Sequence, residues 1–312
     1  MGNQIQKSID VVYVLGKGSN WRDNELRFSL RALAKNLTGI RKVWIVGAKP
    51  DFVKNVTYIS YPDELGMNNA DGNIIRKVLR ICKEERLTEN FLFINDDHLI
   101  MKPMIAAEIP PYRKMDMATL PNEYFQDNSW RGRLFRTKNM LIKKGYPALH
   151  FDCHIPIVIN KALYPEVIAK FDYDKDIGYT MKSLYGNLIH PDGPELKEEK
   201  GIVFKPYVLK DIIDRVRDRS FVAFNDDGLK IYMKQWLFLN FPKPSKYEKT
   251  DNDPFFEIMS WVLSEDKNFT TGCELYDKFG RAKKVKKYFS KGESETRYAK
   301  LEHKIKELLN YY

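Results

Sequence analysis

The chain has 312 residues, with 52 lysines and arginines against 42 aspartates and glutamates, a net charge of +10 with neutral histidines. Apolar residues make up 43% and charged residues 30%, a mix that fills a core and excludes disordered and collagen-like chains. No run approaches the roughly 18 apolar residues of a membrane span, the N-terminus lacks the apolar centre of a secretory signal, and Cys82, Cys153 and Cys273 lack CxxC spacing, which fits a reducing cytoplasm.

In chain order, the β-branched run Ile9 to Leu15 predicts a buried strand that stops in the tight loop Gly16-Lys17-Gly18-Ser19. Leu26, Leu30, Leu33 and Leu37 recur at helical spacing over 24–37, with Arg27, Arg31 and Lys35 on another face. Strands are expected at 41–46 and 56–60, a helix at 73–86 and a fourth strand at 91–94. This alternation predicts an α/β structure with a mostly parallel sheet flanked by helices. Further on, an acid-free block spans 128–150, a short apolar stretch 155–159, and a helix is expected at 162–171. A strand at 220–224 and a helix at 227–241 follow, and Pro242-Lys243-Pro244-Ser245 is a hard stop before a basic, helical extension.

Ligands of open α/β sheets bind beyond the strand C-termini, which directs attention to the 16–19 loop and to Asn95-Asp96-Asp97-His98. Adjacent carboxylates repel unless a cation lies between them. Magnesium or manganese commonly joins such carboxylates to a substrate diphosphate, which a nucleotide sugar would supply. The same acids fit a solvated turn. The tripeptide recurs in Asn225-Asp226-Asp227-Gly228, where an N-cap for the next helix is expected. Arg131 suits a bidentate phosphate contact and equally a solvated basic loop; His154 suits general acid or base work and equally a core position.

Ile9-Asp10-Val11-Val12-Tyr13, Glu25-Leu26-Arg27-Phe28-Ser29-Leu30-Arg31 and Ile40-Arg41-Lys42-Val43-Trp44-Ile45-Val46 together resemble the first conserved region of the Stealth family. Phe91-Leu92-Phe93-Ile94-Asn95-Asp96-Asp97 is similar to its second region, and Asn128-Ser129-Trp130-Arg131 with His154-Ile155-Pro156 to its third, in matching order. The resemblance implies a GT-A-like, Rossmann-like α/β fold and a divalent cation, Mn2+ or Mg2+. It makes Asp97 the principal metal ligand, places Asn95 and Asp96 along the donor, and gives Arg131 and His154 catalytic roles. Stealth enzymes transfer a sugar 1-phosphate from a nucleotide sugar to a saccharide hydroxyl. The family's later basic residues have no counterpart in 176–183, and its final histidine-rich region is reduced to His190, which leaves simple glycosyl transfer as the expected reaction.

On this reading the nucleotide-sugar donor meets Gly16, Lys17, Gly18, Ser19, Arg27, Asn73, Lys77, Asn95 and Asp96, and the cation meets Asp97, Asp96 and His190. His154 or Asp152 activates the acceptor hydroxyl beside Arg131. Trp130, Arg133, Arg136 and Lys138 of the acid-free block, with the basic run from Arg281 to Lys291, suggest a polyanionic acceptor. The second half, with Phe224-Asn225-Asp226-Asp227-Gly228, is similar to phage-encoded relatives of glycosyltransferases, which implies hydroxymethylated phage DNA as that acceptor. The expected organisation is a donor-binding half at 1–120, an acceptor and catalytic half at 121–245, and a basic extension at 246–312. A Stealth-type hexose-1-phosphate transferase building capsule and a non-catalytic basic DNA-binding protein are the alternatives.

Overall fold

The computed structural model of the chain describes residues 8–17, 19–125, 129–251 and 253. Strand β1 (Ile9–Leu15) is buried at every position, as a strand covered on both faces must be. Helix α1 (Asn24–Asn36) and the two-residue β2 (Leu37–Thr38) lead to β3 (Ile40–Gly47) and β4 (Thr57–Ser60). Helix α2 (Ala70–Cys82) precedes β5 (Asn90–Ile94), and a tight turn joins β5 to β6 (His98–Ile100), followed by β7 (Met104–Ile105). The chain continues through α3 (Ser129–Lys143), β8 (Ile157–Asn160), α4 (Leu163–Ile168) and α5 (Met181–Ile189). The described elements close with β9 (Lys200–Val203), α6 (Leu209–Val216), β10 (Phe221–Phe224) and α7 (Ile231–Asn240).

The main sheet has the order β4-β3-β1-β5-β8, parallel except for β8, which pairs antiparallel with β5. From β1 the chain steps outward to β3 and β4 on one side and then returns to β5 on the other. The winding therefore reverses between β1 and β5, and the loops leaving their C-termini, at Gly16 and Asn95, border the crevice where such sheets take ligands. A second sheet, β6-β10-β9, takes over where β5 ends. Asn95-Asp96-Asp97 thus bridges two sheets. Among the described residues, no helix is long and apolar enough to cross a membrane.

Helix α1 lies between the two sheets. Leu26, Leu30 and Leu33 belong to the core under the main sheet, while Phe28 and Ala32 belong to the core shared with α6, α7 and the second sheet. Being covered on both sides, the helix buries Arg27 and Arg31 of the face expected to be polar and leaves Lys35 exposed. Arg31 Nε and Nη2 donate to Glu248 at 2.9 and 2.8 Å, and Arg27 reaches the same carboxylate at 3.5 Å. Arg27 also pairs with Asp253 at 2.5 Å. Its guanidinium, expected along the donor, is thus shared between two buried or half-buried carboxylates of the fold.

The same network bears on the stop at 242–245. Beyond it the chain returns to the first half, where Lys54 N donates to Tyr247 O and Lys249 N to Phe52 O. The helical extension expected further on, the Arg281 to Lys291 run, Gly18 and Asn128 lie outside the described residues.

The strands expected in the first hundred residues are present to within a residue or so, and α2 begins three residues early because Asn69 Oδ1 accepts from Gly72 N at 2.9 Å and caps it. The second Asn-Asp-Asp is no helix cap. Asn225 Oδ1 accepts from Gly228 N at 2.9 Å to close a turn, and α7 starts only at Ile231.

Candidate active site

The tripeptide Asn95-Asp96-Asp97 occupies a turn in which His98 N donates to Asn95 O, and the Asp97 carbonyl accepts from Phe224 N of β10. His98 opens β6 and is 1% exposed. Its Nε2 lies 3.4 Å from Asp97 Oδ1, while the other Asp97 oxygen, Oδ2, is 3.9 Å from Nδ1 of His154. One ligand atom from each of Asp97, His98 and His154 can be chosen so that all lie within 4.8 Å of one another.

Among the described residues, Asp97 Oδ1, both ring nitrogens of His98 and the side-chain oxygen of Asn95 are buried with no hydrogen-bond partner. Buried polar atoms are nearly always satisfied, so unpartnered ones call for an explanation. Burial and the nearby Lys182 and Lys200 ammoniums hold both imidazoles neutral, with His98 well below its ordinary range and His154 pushed down to about 3. Neutral imidazole is the form that ligates metals. The carboxyls are pushed the other way: burial, reinforced by Asp97, raises Asp96 to about 7, and burial raises Asp97 to about 6. Glu25 is raised to about 7, chiefly by burial, with Asp96 adding repulsion. A divalent cation would relieve this strain, and one carboxylate with two imidazoles is a donor set suited to manganese or a similar ion. The residues fit the group that the sequence implied.

His154 reaches this centre at a cost. Its backbone sits at φ 51°, in the left-handed region, where a residue other than glycine is disfavoured by about 1–3 kcal/mol. The loop that carries it is anchored on α5. Phe151 lies against Gly186, where a Cβ would come within 2.4 Å of the ring. Asp152 accepts from Lys182 N (3.2 Å), Ser183 N (2.9 Å) and Ser183 Oγ (2.5 Å) at the helix N-terminus. Asp152, expected as a base, is therefore committed to holding helix and loop together.

Beside this centre a cleft of about 170 Å³ opens between α2, the end of β5, α3 and α5. Trp130, Asp71, Arg133 and Lys182 line it together with Asn95, Asp152 and His154. The Trp130 ring lies 6.0 Å from that of His154 and 5.8 Å from that of His150. Asp71 went unrecognised in the sequence, since its partners come from elsewhere in the chain. Burial, then the Asp152 charge, raises its carboxyl to about 6 against the opposing pull of Arg133.

The other expected site residues are held as follows. Arg133, at 6% exposure, donates to Asp71 at 2.7 Å; Lys138, at 7%, donates to Leu120 O and lies over Phe125; Arg136 pairs with Asp176 at 2.5 Å. Arg133 and Lys138 thus serve α3 packing, and Arg136 is spent on an exposed carboxylate. Arg131 turns toward Tyr124, donating to its carbonyl at 3.0 Å and lying 4.5 Å over its ring. Asn73 accepts from Glu64 N and Leu65 N, and Lys77 pairs with Asp63, so both brace the loop after β4. Ser19 Oγ accepts from Trp21 N and Asp23 N and donates to Glu25, shaping the loop after β1, where Gly16 and Lys17 are exposed. His190 caps the end of α5 with its ring against Tyr185, apart from the Asp97 group.

No protein-family model and no curated protein matches the chain. Solved structures do. The galactosyltransferase LgtC, in complex with donor and acceptor sugar analogues, is 9% identical over 76% of this chain and 98% of its own, with a TM-score of 0.43. The glycosyltransferase GlyE of Streptococcus pneumoniae TIGR4 is 9% identical, covers 77% of this chain and has a TM-score of 0.38; this chain spans 65% of GlyE. Mouse xyloside xylosyltransferase 1 is 8% identical over 71% of this chain and 99% of its own, with a TM-score of 0.35. Residue roles are taken from none of them.

Proposed function

We propose that the chain is a metal-dependent glycosyltransferase of GT-A type that uses a nucleotide-diphosphate sugar. The observation that carries the reading is the position of Asp97, His98 and His154, with unpartnered buried donor atoms, at the C-terminal rim of β5 where the sheet's winding reverses. The order of the Stealth-like segments supports the nucleotide sugar as donor.

Asp97, His98 and His154 would hold the cation, which supplies charge neutralisation for a departing diphosphate. The loops after β1 and β5 border the donor crevice. In the adjoining cleft, Trp130 offers an apolar ring face and Asp71 a carboxyl poised near neutrality, a combination that orients a sugar or its acceptor hydroxyl. His154 is thereby assigned to the metal rather than to proton transfer. With Arg133 and Lys138 engaged inside the fold and Arg136 paired with Asp176, the acceptor is read as a hydroxyl compound entering beside Trp130, and nothing in the site selects DNA.

A panel of nucleotide sugars incubated with the protein and manganese tests the reading by released nucleotide. Turnover of at least one donor, abolished by EDTA and restored by manganese, is expected. Release that is indifferent to EDTA, or no release from any donor, would overturn it.

A further inference from the structure

We propose that Lys182 and Lys200 clamp the backbone on either side of His154, locking that residue in its left-handed conformation and so setting its ring against Asp97 and His98. The consequence for metal binding rests on the reading above; the clamp itself rests on backbone geometry.

The two ammoniums come from separate elements, Lys182 from the first turn of α5 and Lys200 from the start of β9. Lys182 Nζ donates to Ile155 O at 2.6 Å, and Lys200 Nζ donates to Cys153 O at 2.5 Å. The Cys153 carbonyl belongs to the peptide plane on the N-terminal side of the His154 N–Cα bond, the bond about which φ turns, so holding that carbonyl fixes one side of the rotation. Downstream, Ile155 precedes Pro156 and is confined to extended backbone, and Lys182 holds the carbonyl that results. Between these two points His154 is left at φ 51°. Relaxation to the ordinary helical or extended region would require at least one ammonium to give up its acceptor within a buried loop.

Position alone argues that these lysines do more than supply charge. Both act electrostatically on Asp97 and His154, and a positive charge beside a cation site weakens it. A purely electrostatic role and a positioning role therefore predict opposite signs when the charge is removed. Loss of a residue that orients a metal ligand typically weakens the metal about 10–100-fold, whereas loss of a mere repulsive charge tightens it.

Manganese affinity, read by the paramagnetic resonance signal of free Mn2+, is to be measured for the full chain, Lys200→Met, Lys200→Arg and Lys182→Met. The clamp predicts Kd raised about tenfold or more in each methionine variant and mostly recovered in Lys200→Arg. An unchanged or lower Kd in Lys200→Met overturns it. Thermal unfolding without metal supplies a second reading through His154→Gly, since glycine adopts positive φ freely. Lys200→Met should lower Tm by on the order of 3 °C in the His154→Gly background and by clearly less in the parent, where letting go of the carbonyl allows His154 to relax and recover part of its left-handed strain; equal losses overturn the clamp. Should Lys182→Met fail to fold, the Lys200 variants decide. Absence of Mn2+ binding by the parent rejects the metal reading, and the unfolding comparison still judges the clamp.

Discussion

The chain carries Asn-Asp-Asp twice, at 95–97 and at 225–227, and each copy follows an apolar strand. The first is half-buried between two sheets, with Asn95 Oδ1 and Asp97 Oδ1 unpartnered and two imidazoles facing Asp97. The second is exposed at all three residues; Asn225 closes its own turn, and Asp226 accepts from Asn20 Nδ2 at 3.1 Å. Identical side chains thus have different energetics. In the first loop the carboxylates are half-buried and charge lacks a partner, so a cation has something to gain; in the second, solvent and the turn already satisfy every group.

That contrast can be broken most sharply at Asp97. In Asp97→Ala, manganese-dependent nucleotide release should fall about a thousandfold, corresponding to ~4 kcal/mol of lost stabilisation, with the circular dichroism of the folded protein retained. Release within tenfold of the parent would remove the distinction between the loops.

A smaller effect sharpens the comparison through pH. Asp96 is raised from 3.8 to about 7 by burial and by Asp97. A carboxyl raised on folding favours the folded state while protonated, so this contribution is present below about pH 4 and is lost as pH rises through about 7. Asp96→Asn should therefore be more stable than the metal-free parent by about 1–2 kcal/mol at pH 8. Urea unfolding at both ends of the range should show that gap closing by pH 4, and manganese should narrow it at pH 8. A gap independent of pH would mean that Asp96 carries no such penalty. Smallest of all is the change expected in the second loop, where Asp226→Ala should shift unfolding by less than about 0.5 kcal/mol and leave nucleotide release within twofold.

The difference between the loops also marks how far the sequence is legible. The main sheet can be read from it because β1, β3 and β5 contain continuous apolar runs at 11–15, 43–46 and 91–94, whose burial follows from their own composition. Asp97 and His154 can be singled out as chemistry, and His98 adjoins Asp97, but its place beside them, and so its proposed part as a third ligand, depends on β6 passing into the second sheet beside β10. Helix α5 escapes detection because it is buried nearly all round and so has no polar face to mark its period. The cations on α3 mislead for a related reason. Arg133 finds Asp71, 62 residues away, and Lys138 finds the Leu120 carbonyl, and local charge counting cannot anticipate either partner. Lys182 and Lys200 likewise gain meaning only when the fold brings them under the His154 loop.

The central claim is that Asp97, His98 and His154 grip one divalent ion at the rim of the sheet. Crystals grown with manganese, measured on both sides of the manganese absorption edge, test it directly. The account predicts a single strong anomalous peak within bonding distance of Asp97, His98 and His154; a peak elsewhere, or none even with a nucleotide sugar present, would contradict it.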